Sequence, residues 1–236
     1  MIVASAVSGV FMSWFSSFYR SALGKKAVMA LTGLVFWGFV LGHMAGNLKL
    51  FLGAEAINHY AEWLREVGEP LLPRTGLLWV ARIVLIASLI LHVHAAVALT
   101  AINRKARPQG YSRHEMQNAN FAARTMRWSG FALLAFVIYH LMHMTWGNAH
   151  PDFVRGDVHH NLVVAFSSGL VVAIYVIAMI LLAMHLLHGL WSLFQSLGWN
   201  HPRYNPWRRV FAVVFALVIS LGFIAVPVSI ALGLVR

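Results

Sequence analysis

Five long apolar stretches separated by polar segments set the pattern of this chain, near residues 27–48, 76–101, 126–147, 162–194 and 208–234. Each is long enough to cross a hydrocarbon core of about 30 Å as a helix of roughly 20 residues. The fourth is too long for one simple span and is expected to tilt or to project beyond the membrane. The polar segment at 51–75 has a helical spacing of its own in Ala54, Ile57, Tyr60, Ala61 and Leu64, ended by Pro70 and Pro73. It reads as a short helix lying at the membrane surface with Trp63 as an interfacial anchor. The segment at 103–124 is basic and polar and holds Pro108 and Gly110. Trp199, Tyr204 and Trp207 bracket the junction of the fourth and fifth stretches, as interfacial aromatics do. No linker or internal repeat divides residues 1–236, so a single domain is expected. The fold class is all-α: an integral membrane protein of five transmembrane helices.

Composition agrees with that pattern. Sixty per cent of residues are hydrophobic and only 11% charged, with a mean hydropathy of +0.71, which excludes an ordinary soluble domain. The net charge of +11 raises the question of nucleic acid, and its distribution answers it. Lys and Arg gather before the first stretch (Arg20, Lys25, Lys26), after the second (Arg104, Lys105, Arg107, Arg113, Arg124, Arg127) and after the fourth (Arg203, Arg208, Arg209). These three segments share one side of a five-span topology. Six of the seven acidic residues (Glu55, Glu62, Glu66, Glu69, Asp152, Asp157) occupy the other side, and only Glu115 joins the basic one. The positive-inside rule then puts the N-terminus in the cytoplasm and the C-terminus outside. The basic loops offer a surface for anionic lipid or an acidic soluble partner. Residues 1–19 are apolar without a basic leading stretch, which argues against a cleaved signal peptide, and Met12 is a second candidate start. The chain has no cysteine, so disulfides, thiolate-bound clusters and covalent haem attachment are excluded.

Candidate chemistry rests on histidine. An ionisable side chain within a span is costly to leave unpaired and marks function by default, although one isolated imidazole is equally well explained by a hydrogen bond to a neighbouring helix. Here four consecutive spans carry histidine one to two turns from one end: His43, then His92 or His94, then His140 or His143, then His185 or His188. Successive spans run in opposite directions. His43 therefore shares a depth with the third-span histidine near the outer side, and the second- and fourth-span histidines share a depth near the inner side. Two facing imidazoles supply both axial positions of a b-type haem, and bundle cores are a usual place for such sites. The expected architecture is a four-helix haem-binding bundle with a peripheral fifth helix. His92 and His94 lie about 200° apart around a helix, so only one can face inward. His140 and His143 are about 60° apart, as are His185 and His188, so either member of each pair can ligate while the other serves as a neighbour. Thr32, Gly33, Gly46 and Gly189 are small or polar neighbours that suit either a macrocycle or helix packing. The span methionines (Met142, Met144, Met179, Met184) read as core filler. Lys26, Arg124, Arg127 and Trp128 sit where inner propionates could be held, although charge at a span end is commonly topology alone. Near the outer side Glu62, Glu66 and His143 are candidates for a quinone site.

Several stretches resemble the cytochrome b membrane anchor of succinate dehydrogenase and fumarate reductase in its five-helix, two-haem form. They are GHMAGNLKLFLGAEAINHYAEWL (42–64), KKAVMALTGL (25–34), LHVHAAVALTAINRKARPQGY (91–111) and HLLHGLWSLFQSLGW (185–199). By motif, the resemblance implies an outer haem b on His43 and His140 and an inner haem b on His92 and His188. It further implies an iron–sulfur subunit and a flavoprotein subunit on the cytoplasmic side of a bacterial inner membrane, menaquinone as the quinone, and a possible higher-order oligomer of the complex. No flavin, cluster or dicarboxylate site is visible in these 236 residues, so this chain would contribute only electron transfer and quinone redox chemistry. The competing expectations are the cytochrome b of a hydrogenase or formate dehydrogenase, and a haem-free anchor or transporter.

Overall fold

The computed structural model describes residues 17–106 and 118–236, without the side chains of 118–124. Met12, Arg107, Pro108, Gly110, Arg113, Glu115 and the side chain of Arg124 lie outside the described residues. Helix α1 (Ala22–Asn47) continues into a 3-10 turn (Leu48–Leu52). It is followed by α2 (Ala54–Glu66), α3 (Gly76–Ala106) and α4 (Asn118–Leu141), the last extended by a π turn (Met142–Trp146). Then come α5 (Val158–Phe166), α6 (Gly169–Ser196) and α7 (Asn205–Ala231). No strand occurs among the described residues. Five of these helices, α1, α3, α4, α6 and α7, are long and apolar enough to cross a membrane, so the chain is a multi-pass, all-helical membrane protein.

Local chemistry sets the breaks. Ser21 caps α1 by accepting from the Gly24 N–H at 2.9 Å, and the buried Lys25 ammonium donates to the Tyr19 and Arg20 carbonyls. Gly53, with φ 103°, makes the turn from the 3-10 segment into α2 that a side chain would strain. The long fourth stretch is two helices rather than one tilted span. Asp157 caps α5, which ends at Ser167, and Ser168 in extended conformation starts α6. The chain therefore folds α5 onto α2, outside the five long apolar helices: Asn58 donates to Asp157 Oδ1 at 2.9 Å and accepts from the His159 N–H at 3.0 Å.

Backbone packing joins α1 to α3, α6 and α7, and α6 to α4 and α7. The fifth span, α7, stands beside the four histidine-bearing helices and is the most buried of the five, with 33% of its apolar window inside the protein against 11–17% for the others. Its Phe215 and Ile219 pack with Met44 and Leu190, which ties α1 to α6. The helix pairs α1/α4 and α3/α6 are not among the closely packed ones.

Candidate functional site

Those two loosely packed helix pairs are the ones that bring imidazoles together. Near the α2/α5 end, His43 of α1 faces His140 of α4 with ring centres 5.9 Å apart. Nearer the basic end, His92 of α3 faces His185 of α6 at 6.4 Å. Two imidazoles bound on opposite sides of one metal, with metal–nitrogen bonds of about 2.0–2.1 Å, place their ring centres roughly 6 Å apart. Both pairs have that separation. Among the described residues no group of three or more His, Asp or Glu could hold a metal ion, so the arrangement suits two-point axial ligation and not a protein-only cage.

Hydrogen bonding decides which ring nitrogen is free. The Thr32 hydroxyl lies 2.7 Å from the Val28 carbonyl and spends its single proton there. It must therefore accept from His92 Nδ1–H at 2.9 Å, which leaves the Nε2 lone pair of His92 available. Ser129 repeats the device more weakly: it donates to the Met126 carbonyl at 3.0 Å and lies 3.4 Å from His185 Nδ1. In the other pair, the Tyr175 hydroxyl contacts His140 Nδ1 at 3.2 Å and His143 Nδ1 at 3.0 Å. One imidazole accepts the phenol proton and the other donates its own. Tethering of one nitrogen fixes ring orientation, as partners of metal-bound histidine commonly do. His43 has no such tether and is held by stacking on Phe39 one turn earlier, at 5.2 Å and 11°.

Small residues border the His92/His185 pair. A Cβ on Gly33 would lie 4.0 Å from His92 and 3.9 Å from Leu193, and one on Gly130 would lie 3.6 Å from His185. These positions leave flat surfaces beside the rings.

The remaining sequence candidates separate cleanly. His94 is exposed and bonds Tyr19 at 2.5 Å, away from His92. The fourth-span imidazole brought to His92 is His185 and not His188, the member the motif comparison selects; the two lie one turn apart on the same helix face. Lys26, Arg127 and Trp128 are exposed. Glu62 pairs with Arg65 at 2.8 Å and with Arg74, and Glu66 is exposed on the outer face of α2, so neither carboxylate reaches the histidines. His143 does: it is fully buried, lies beside His150 at 5.1 Å between ring centres, and its Nε2 has no partner. His150 is itself fixed, donating from Nε2 to the Asn161 carbonyl at 2.9 Å and accepting from the Asp152 N–H at 3.1 Å. Outside the spans, the His160 N–H and then Asn58 hold the Asp157 carboxyl below its ordinary range.

Sequence reasoning missed Tyr175 and Ser129. Tyr175 was detectable as the one hydroxyl in the otherwise aliphatic run 170–184. Ser129 gave no comparable signal.

A family model described as succinate dehydrogenase/fumarate reductase transmembrane subunit matches residues 103–225. No curated protein and no solved structure matches the chain. The matched region contains His140, His143, Tyr175 and His185; His43 and His92 lie before it.

Proposed function

The chain belongs to the succinate dehydrogenase/fumarate reductase transmembrane subunit family, and from that premise we propose that it is the two-haem form of the anchor. It is a membrane subunit of a succinate:quinone oxidoreductase complex and associates with that complex's catalytic subunits. In our reading one haem b takes His43 and His140 and the other His92 and His185. The single observation that carries the reading is two imidazole pairs at metal-bridging separation, at two depths, across helix pairs that do not pack closely. The residues fit such groups: His92 Nε2 is left unprotonated by its Thr32 tether, and Gly33 and Gly130 flank the His92 and His185 rings.

The assignment of His185 in place of His188 follows from ring approach and from the Ser129 tether. The HGLWS motif selects His188, one turn along the same helix face. His188 becomes the neighbour of the ligand, in the way His143 neighbours His140.

His43 with His140, and His92 with His185, would each hold a haem, which would supply one-electron transfer when bound. The chain's own part is to fix distance and environment. Thr32, Ser129 and Tyr175 set ring orientation, and the apolar span residues around them exclude water and favour low net charge. With the basic end in the cytoplasm, the His92/His185 pair lies toward the catalytic subunits and the His43/His140 pair toward the outer surface. Quinone, read as menaquinone, is the electron partner in the membrane. On the outer side His143 is the candidate contact for its carbonyl, since Nε2 is buried and unpartnered; the surface ion pairs of Glu62 remove that carboxylate from the role.

Purification of the native complex in mild detergent tests the reading. A flavoprotein and an iron–sulfur subunit should accompany the chain, and succinate should reduce b-type haem absorbing in the same fraction. A complex with succinate dehydrogenase activity that lacks b-type haem bands would refute the two-haem form while leaving family membership intact.

A further inference from the structure

A separate site lies at the basic end, where α6 meets α7. A cleft of about 550 Å³ is lined by Phe194, Trp199, Asn200, His201, Tyr204 and Arg208. Arg208 is only 8% exposed, yet no carboxylate among the described residues pairs with it. Its guanidinium stacks over the Trp191 ring at 4.7 Å and faces Phe194 at 5.8 Å. It donates from Nη1 to the Trp199 carbonyl and from Nη2 to Asn200 Oδ1 at 3.4 Å, while Nε is buried with no partner. No Asp or Glu follows Asp157 in the sequence. The acidic residues of α2 and of the 152–157 segment sit at the opposite end, and Glu115 lies outside the described residues. A buried cation held only by neutral groups is costly unless an anion completes it.

The surroundings say which anion. Trp199, Tyr204 and Trp207 are exposed at 65%, 57% and 75% around the cleft mouth, the amphipathic ring belt found at the head-group level of a bilayer. Arg203 and Arg209 are exposed beside it and add positive potential. On the other side the cleft floor continues into hydrocarbon-facing surface: Phe194 packs against Phe211 at 6.0 Å, and Phe211, Val210 and Val214 are exposed along α7. A polar mouth at interface depth that opens onto an apolar wall matches a molecule with a phosphate head and acyl tails.

We propose that the Arg208 cleft is a binding site for an anionic phospholipid. The Arg208 guanidinium and the Asn200, His201 and Tyr204 side chains offer donors to the phosphate oxygens, and the Phe211 face of α7 carries an acyl chain. Guanidinium suits this role because its fixed fork of donors matches phosphate geometry. The site is independent of the haem assignment, so either proposal can fail without the other.

Native mass spectrometry tests it on the full chain, released with its accompanying subunits from nanodiscs of equal phosphatidylglycerol and phosphatidylcholine. The wild type should retain phosphatidylglycerol in preference to phosphatidylcholine. R208Q should reduce that preference about tenfold, the effect of one charge-assisted contact, whereas R209Q, on an exposed side chain, should change it little. N200A offers a second test that leaves the buried charge in place and should weaken retention. Added inorganic phosphate distinguishes the sources: free phosphate that displaces the lipid at millimolar concentration overturns the need for the acyl face. Equal retention of the two lipids, or selectivity unchanged in R208Q and N200A, overturns the proposal and points instead to a partner carboxylate.

Discussion

Replacing Thr32 by valine isolates one hydrogen bond at the candidate site nearer the basic end. Valine is nearly isosteric and keeps the branched Cβ, and the Val28 carbonyl retains its place in the α1 hydrogen-bond ladder. What disappears is the acceptor for His92 Nδ1–H at 2.9 Å. A buried donor left without a partner costs about 1–3 kcal/mol. At 1.36 kcal/mol per factor of ten, that is roughly 5- to 150-fold in the affinity of whatever His92 ligates, a span that brackets the roughly 10- to 100-fold expected for partners of metal ligands. Ser129→Ala should cost less, because its contact with His185 is already long at 3.4 Å. The assay is a potentiometric titration followed by absorbance and low-temperature spin resonance, which resolves two haems by potential and line shape. T32V should lower occupancy or shift the potential of one haem only, and H43A should affect the other only. If T32V left both signals unchanged, or altered the same signal as H43A, the orienting role of Thr32 and the division into two sites would be wrong.

Three further expectations follow from particular contacts. His185→Ala should abolish the haem shared with His92 and His188→Ala should leave it bound; the reverse result restores His188 as the ligand. Tyr175→Phe removes the hydroxyl between His140 and His143 and should disturb only the haem at His43/His140, by roughly 1–3 kcal/mol in binding or potential, read in the same titration. Asp157, whose carboxyl is held below its ordinary 3.8, contributes stability at the α2/α5 junction that is complete above that value and lost as pH falls through its folded pKa. Hydrogen exchange in α5 should therefore rise below pH 3.8 in the wild type, and Asp157→Asn should flatten that dependence; an unchanged profile in the variant removes Asp157 from the account.

Hydropathy sufficed for the five spans because membrane helices must be apolar along their whole length and satisfy their own backbone. The limits of the sequence lay where several residues share one helix face. His140 and His143, like His185 and His188, sit about 60° apart, and only the position of the facing helix separates them. The structure turns His140 toward His43 and His143 toward Tyr175 and His150, and it turns His185 toward His92. The break at Ser167 and Ser168 escaped notice because two small polar residues barely interrupt the long, mostly apolar stretch 162–194, whereas their backbone conformations divide it decisively. Glu62 shows another limit: the sequence places it on the outer side among the quinone-site candidates, and only the structure shows its carboxylate paired with Arg65 and Arg74. Thr32 was legible as a small polar residue in α1, but its function depends on donating to its own helix and accepting from the next, a relation that exists only in three dimensions.

The most direct test is the haem content of the purified chain, measured as the pyridine haemochrome against protein mass from amino-acid analysis. The account expects two b-type haems per chain, falling to one in His43→Ala and to one in His185→Ala. A ratio of zero or one in the wild type prepared with ample haem, or an unchanged ratio in both variants, would contradict the paired-imidazole reading on which the rest depends.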